Sequence, residues 1–446
     1  MFQRLKRLMR RSQDVYWETG SKAAAFSYFC RSIVAKTTAV AIHLWGLRLF
    51  LMPWRRHAGV ERLQAIQSEG RLAAEVERLE AIRSDGRLAI AITVSGGLGD
   101  LIVIARCVRD LAAEVEPFSL DVFAPSPGLA KWVFAAVPGF EHAYPDTLDN
   151  FWGRAYDLKF RMNQTVVVVH EDILWSRVRQ APQMLAAIGE MIRYRRRSGL
   201  EPYIVNHPRL DNGLARKAVY SNKSRNDYLH SMIGIDYAGD QLEIESNDAA
   251  LERFGLQGRS FVTVHNGFDT NFFISGQRAT KCYPHFAEVA ARLKAARPDL
   301  TVVQIGTTTS DPIPGVDLNL IGRTSLREAA GLLRATALHL DNEGGLVHLA
   351  ACYGRRSLVV FGPTPSDYFG YPHNINVDPV RCGGCWWIDE LWMDRCPRGI
   401  GQPECMYSQP PERIVALALA ALEPTAELNP KIAESGGFPI SKGEVA

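Results

Sequence analysis

From Leu88 onward the chain alternates short apolar runs with amphipathic stretches. LAIAITVS (88–95) is a continuous apolar run of strand length, GGLGD follows as a turn, and residues 101–114 carry a helical pattern. FSLDVFA and TVVVVH are expected to be later strands of the same series. A second series opens at SFVTVHN (260–266) and continues through a helix starting at Pro284, where Phe286, Val289, Ala290 and Leu293 keep helical spacing. LTVVQIG, ALHLD and SLVVFG then read as strands, SLREAAGLLRAT and GLVHLAACYG as helices, and a last helix is expected near 411–423. Alternation of this kind is the mark of βαβ units around parallel sheets. The expectation is an α/β protein of two doubly wound, Rossmann-like halves, 87–245 and 246–446, with the boundary somewhere in 235–258. Ligands of such folds bind beyond the carboxyl ends of the strands, here in the cleft between the halves.

Residues 1–86 have a different texture and are expected to form a basic amphipathic helical extension. ERLQAIQSEGRLA (61–73) returns as ERLEAIRSDGRLA (77–89), with ten of thirteen positions identical. Two copies are too few for a solenoid, and each reads as a helical piece stopped by a glycine, Gly70 or Gly86. TTAVAIHLWGLRLFLMPW (37–54) is broken by His43 and Arg48 and closed by Pro53, short of the roughly 20 apolar residues a spanning helix needs. Two readings stay open for it: a helix lying in a membrane surface, with Trp45 and Trp54 at headgroup depth, or a helix packed on the body.

Charge sharpens this division. Residues 1–60 hold eleven Lys and Arg against Asp14 and Glu18, so the segment carries +9 in a chain of net +3, and the remainder carries −6. A basic arm on a mildly acidic body fits an anionic lipid surface and argues against nucleic acid as partner of the body. No signal-peptide pattern follows the basic start, so the chain is expected to begin at Met1 and to stay cytoplasmic, peripheral to the inner face of the cell membrane. The 47% hydrophobic and 22% charged content is that of a folded globular protein.

Three stretches carry candidate chemistry. SGGLGD (95–100) follows a strand and opens a helix, so Gly96, Gly97 and Gly99 could let a ligand approach backbone amides. It lacks the Lys of a P-loop, and Asp121 falls inside its strand instead of at the end where a ribose reader belongs, which disfavours a dehydrogenase. Asp100 is either a general base at the cleft mouth or a cap for its own helix, and the local pattern favours the cap. In ATKCYPHF, Lys281 precedes a helix start, where an ammonium and free amides together suit a diphosphate. In DNEGGLVHLAACYGRRSLVVFGPT (341–364), Asp341 and Asn342 stand at a strand end and His348 lies one turn into the next helix, as a phosphate contact or a core residue.

Four of the eight cysteines, Cys382, Cys385, Cys396 and Cys405, are spaced C-x2-C-x10-C-x8-C. Two close pairs on short loops are what a tetrahedral ion needs, and four sulfurs leave no water position, so one structural zinc or iron ion is expected. Disulfides are disfavoured without a sign of export, and a redox pair without a βαβ start. RYRRRSGLEPYIVNHPR (193–209) is either an anionic-acceptor patch or a solvated basic face.

Together these motifs resemble glycosyltransferase family 9, the ADP-heptose heptosyltransferases, over roughly residues 88–423. GGLGD is similar to that family's amino-terminal turn, TKCYP to its Lys-x-aromatic-Pro segment and DNEGGLVHLAA…VVFGPT to its donor signature, although Asn342 and Glu343 depart from the usual residues. The cysteine segment resembles the bacterial autotransporter heptosyltransferase branch, whose members carry a four-cysteine iron site. The resemblance implies a GT-B fold and an inverting transfer of a sugar, heptose first, from a nucleotide-sugar donor to a hydroxyl of a glycolipid, polysaccharide or protein, with no catalytic metal. It implies Asp100 as general base and Lys281 as the cation that neutralises the leaving diphosphate. Asp341 would hold sugar hydroxyls, and Gly344, Gly345, Gly362, Pro363 and Thr364 would hold phosphates. Gly97, Gly99, His265, Thr280, Asn342 and His348 complete the implied donor site. The competing expectation is an inactive nucleotide-sugar-binding or membrane-surface protein of the same fold.

Overall fold

The structure, a computed structural model, describes residues 74–152, 155–205, 212–267 and 279–423. Strand β1 (Leu88–Val94) is the centre of a five-stranded sheet. Its partners are β2 (Phe118–Ala124), β3 (Phe140–Pro145), β4 (Leu158–Met162) and β5 (Val166–Val168), in the order β3-β2-β1-β4-β5. All seven residues of β1 are buried, which is why it reads as an unbroken apolar run: a central parallel strand is covered on both faces. The expected strand TVVVVH departs from the parallel scheme, because the Asn163 amide bonds the Thr165 carbonyl at 3.1 Å and turns the chain back, so that β5 pairs antiparallel with β4. β4 itself was hidden by its charges. Lys159 is buried there against Asp149, a pairing no local pattern announces.

The second sheet is parallel throughout. It comprises β6 (Phe261–Val264), β7 (Thr301–Gln304), β8 (Leu318–Asn319), β9 (His339–Asn342), β10 (Ser357–Val360) and β11 (Ile375–Val377), in the order β11-β10-β9-β6-β7-β8. The helices that frame the site are α1 (Leu98–Glu114), α2 (Pro182–Arg197), α3 (Arg225–Ile233), α4 (Phe286–Ala296), α5 (Leu326–Ala335), α6 (Gly345–Cys352) and α7 (Pro411–Leu422). Helix α4 begins two residues later than Pro284, but its expected face, Phe286, Val289, Ala290 and Leu293, is the buried one. Helix α5 starts on a reciprocal cap in which Ser325 and Glu328 bond each other's backbone amides. Helix α7 closes the second half by packing on α4 and β10.

The end of the extension packs on the body. Residues 74–84 are helical and Gly86, at φ +80°, stops them in the left-handed conformation expected of a capping glycine. Leu79 and Ile82 are buried with Ala89, Ala91, Phe123 and Trp152 on the face of the first sheet. Arg83 bonds the buried Asp157 at 2.9 Å, and Asp157 also accepts the Ala89 amide at 2.8 Å. Asp121 is engaged in mid-strand by Arg78 and by the Tyr156 hydroxyl, which leaves no ribose reader at the end of β2. The basic arm, the apolar stretch 37–54 and the first copy of the duplication lie outside the described residues. In the arginine run, Arg193 and Arg197 pair with Glu190 at 2.9 and 2.7 Å, and Arg195 pairs with Glu201 at 2.7 Å. Those guanidiniums form a solvated, locally balanced face of α2; residues 206–209 lie outside the description. Among the described residues no helix is long and apolar enough to cross a membrane.

The two halves are joined by buried contacts. Helix α1 of the first half packs on α6 of the second, while the connecting segment touches both: the Trp132 indole donates to the Glu245 carbonyl at 2.9 Å and the Leu242 amide to the Cys352 carbonyl at 3.3 Å.

Candidate active site

Helices α1 and α6 each begin at a glycine turn after a central strand, and their first turns meet. A Cβ on Gly99 would lie 2.5 Å from the His348 ring, and one on Gly345 would lie 3.1 Å from Leu98 Cβ and 3.3 Å from the Gly99 nitrogen. These two glycines are required by the close crossing of the helices. A Cβ on Gly97 would meet nothing within 4 Å and one on Gly344 only ordinary contacts at 3.8 and 3.9 Å, so of the four they are the least crowded turns that a ligand could approach.

Asp100 performs the capping role that its local pattern favoured, and more. One carboxylate oxygen accepts the Gly97 amide at 2.9 Å; the other accepts Arg225 Nη2 at 2.5 Å and the Gln164 side-chain amide at 3.4 Å. Its side chain is one quarter exposed, whereas Arg225, brought by α3, is buried with its guanidinium 5.8 Å above the Phe369 ring. Burial works against the Arg225 charge, but Asp100 outweighs it and holds the pKa above the ordinary arginine value. Arg225 and Gln164 lie 125 and 64 residues from Asp100 in sequence, and no spacing rule links them.

Opposite stands a second ionic group. Lys281 Nζ lies 3.4 Å from Glu343 Oε2, and His348 Nε2 lies 3.9 Å from Glu343 Oε1. Burial pushes the Glu343 carboxyl up, yet Lys281, His348 and Arg225 together hold it down at about 2. The same pairing holds the Lys281 ammonium above the ordinary lysine value in spite of its burial. Glu343 also acts electrostatically on Arg225, so the charges of Asp100, Arg225, Glu343 and Lys281 form one coupled row across the junction of the halves, with the His348 ring beside Glu343.

The acid expected at the end of β9 has another task. Asp341 is fully buried; its oxygens take His265 Nδ1 at 2.9 Å, His339 Nε2 at 3.3 Å and the Asn342 amide at 2.8 Å. Those partners outweigh burial and keep its pKa below the usual carboxylate value. Asp341 thus supports His265, and Asn342, also fully buried, donates to the Gly267 carbonyl at 3.1 Å. β9 is covered on both faces, so Asp341 and Asn342 are both buried, and the first acid to reach the cleft is Glu343, past the strand end. Glu343 was read only as a departure in the glycine turn.

The cysteine segment covers the site's second-half loops. The Gly384 amide donates to the Gly362 carbonyl at 2.9 Å and the Trp386 amide to the Pro363 carbonyl at 2.8 Å. Thr280, next to Lys281, donates its amide to the Met393 carbonyl and its hydroxyl to the Trp392 carbonyl, both at 2.8 Å. The Asn212 side chain of the first half donates to the Gly384 carbonyl at 2.7 Å. Gly362, Pro363 and Thr280 are buried and bonded to this segment, whereas the equally buried Thr364 hydroxyl has no hydrogen-bond partner. Cys382, Gly383 and Gly384 all have positive φ, 48°, 119° and 63°, a tight knuckle that needs the two glycines. The thiols are unbridged. Burial, then Cys382, Cys385 and Cys396, push the Cys405 thiol up, which makes the four neighbours. Among the described residues no three His, Cys, Asp or Glu groups are arranged as ligands of one ion.

Two crossed glycine turns at the carboxyl ends of the central strands, with a cation beside them, place the site in the cleft between two Rossmann-like halves. Residues 270–383 match the family model glycosyltransferase family 9 (heptosyltransferase). The chain has the GT-B fold. The chain is similar to the bacterial iron-containing dodecameric glycosyltransferase TibC of enterotoxigenic E. coli, with 15% identity over 75% of this chain and 76% of that one, at a TM-score of 0.50. The glycosyltransferase family 9 structure from Veillonella parvula has 15% identity over 75% and 97% of the two chains, at a TM-score of 0.48. E. coli ADP-heptose lps heptosyltransferase II has 16% identity over 74% and 98%, at a TM-score of 0.44. No curated protein matches the chain in sequence.

Proposed function

We propose that this chain is a glycosyltransferase that moves a sugar, heptose first, with inversion from a nucleotide-sugar donor, ADP-heptose first, to a hydroxyl of a cell-surface glycolipid, polysaccharide or protein. The observation that carries the reading is the charged row from Asp100 to Lys281 across the junction of the halves. An inverting transfer needs a base on the acceptor side and positive charge where the diphosphate leaves. Asp100, one quarter exposed, is the carboxylate of the row beside the first half's open Gly97 turn, and Lys281 is the cation paired with Glu343, the residue before Gly344. Glu343 keeps Lys281 charged and in place until a diphosphate competes for it. Crystals of TibC with ADP-D-beta-D-heptose give the first donor to try.

The test is a thermal-shift and turnover screen over nucleotide sugars. ADP-heptose is expected to raise Tm and to be consumed when acceptor is present; absence of a shift with every nucleotide and nucleotide sugar would overturn the reading. One observation favours the inactive binder: Asp100 is already occupied by Gly97 and Arg225. Donor stabilisation without transfer or hydrolysis would decide for it. The basic arm is proposed to seat the enzyme on an anionic cytoplasmic membrane surface.

We propose also that Cys382, Cys385, Cys396 and Cys405 hold one structural zinc or iron ion. The C-x2-C knuckle, the mutual approach of the four thiols and the iron of TibC support this. Four thiolates would supply structural cross-linking of the segment that covers Thr280 and Gly362. Purified protein is expected to contain about one ion per chain by elemental analysis, and Cys385→Ser to lose it together with thermal stability. Metal-free protein of unchanged Tm would refute the assignment.

A further inference from the structure

The buried group behind His348 fixes which of its nitrogens carries the proton. Arg106, on α1, is fully buried and donates Nη1–H to the Tyr371 oxygen at 2.6 Å; its Nη2 reaches the His348 carbonyl and Cys352 Sγ, both at 3.3 Å. Tyr371, only 2% exposed, has His348 Nδ1 at 2.5 Å from the same oxygen. A guanidinium can only donate, so one lone pair of the phenol oxygen is taken. If Nδ1–H also donated to that oxygen, the phenol proton would be buried without an acceptor, at a cost of about 1–3 kcal/mol. In addition, the lone pair on Nε2 would then face the Glu343 carboxylate. Both penalties vanish when the phenol donates to Nδ1 and the proton is on Nε2.

We infer that Arg106 and Tyr371 are positioning residues that lock His348 as the neutral Nε2–H tautomer, presenting one permanent N–H toward Glu343 where α1 and α6 cross. Burial and the nearby Arg106 and Arg225 charges, which keep the imidazole neutral in spite of Glu343, agree with this. Resting on the glycosyl-transfer reading, this N–H is a donor for the leaving diphosphate oxygen, preset so that no reorientation is needed at the moment of reaction. The device spans the halves, because Arg106 belongs to the first and Tyr371 and His348 to the second. It therefore forms only when the two are docked.

The test is long-range proton–nitrogen NMR on protein labelled with 15N-histidine, with the His348 signals identified by their loss in His348→Gln. Near neutral pH the wild type is expected to show a protonated Nε2 and an acceptor Nδ1. Tyr371→Phe keeps the ring and its packing but is expected to populate both tautomers. It should lower kcat about tenfold, the scale of one lost hydrogen bond, with little change in donor KM. A protonated Nδ1 in the wild type, or an unchanged tautomer in Tyr371→Phe, overturns the inference. The tautomer is read without any donor, so an Nε2–H signal in a protein that turns over no nucleotide sugar would sustain this inference and sink the transferase reading alone.

Discussion

Asp100→Asn is expected to lower kcat by about 10²- to 10⁴-fold, the range that general-base catalysis contributes, while donor affinity, read by titration, stays near that of the wild type. The substitution keeps the shape and one acceptor, so the Gly97 amide can still be capped. What it removes is the charge opposite Arg225, whose guanidinium is buried and has its Asp100 partner at 2.5 Å. Some loss of Tm is therefore expected as well, since an unpaired buried cation is costly. The two effects separate in Arg225→Gln, which discharges the other partner and leaves the carboxylate free. If Asp100 is the base, this variant loses stability but retains a larger share of turnover than Asp100→Asn. Equal kcat in Asp100→Asn and wild type would reduce Asp100 to a helix cap.

Lys281→Met is expected to lower kcat/KM for the donor by about 10²- to 10³-fold, the scale of a lost charge-stabilising group. It also leaves Glu343 buried without its nearest cation. In the wild type the Glu343 carboxyl is held at about 2 against a usual 4.5, a depressed value, so its contribution to stability is present above about 4.5 and is lost as pH falls toward 2. In Lys281→Met that depression shrinks, so the fall of Tm below about pH 4.5 should be smaller and should end at a higher pH than in the wild type. Adding Glu343→Gln should restore much of the stability and none of the turnover, because removing both partners costs less than stranding one. Full activity in Lys281→Met would exclude the ammonium from the diphosphate site.

Much of the scaffold was legible along the chain for a simple reason. The central strands of parallel sheets are covered on both faces, and β1 announces itself as LAIAITV with no polar interruption except Thr93. Helices α4, α5 and α6 were legible through one apolar stripe each. β4 was not, because Lys159 and Arg161 are neutral to the core only through partners elsewhere in the chain, and β5 was read without its reversal because direction depends on a turn, not on composition. The candidate site divides in the same way. Asp100 and Lys281 were found from their positions at strand ends and helix starts, which are local features. Arg225, Gln164, Tyr371 and Arg106 carry no local mark, and Glu343 was passed over because only the burial of Asp341 shows which acid lies past the end of β9.

The sequence by itself determined that this chain builds two βαβ halves, that glycine turns follow their central strands, and that a knuckle of cysteines lies beyond the second of them. Periodicity and turn chemistry act over a few residues, so the order of residues suffices to state them. The tertiary structure alone decided which side of each turn is open, that Gly99 and Gly345 serve the crossing of α1 and α6, and that the cysteine segment is bonded to Thr280 and Gly362. It also decided that Asp100 and Lys281 belong to one charged row through Arg225 and Glu343. Those facts depend on close approach between segments distant in sequence, where short-range packing and the low dielectric of the buried junction set the energies.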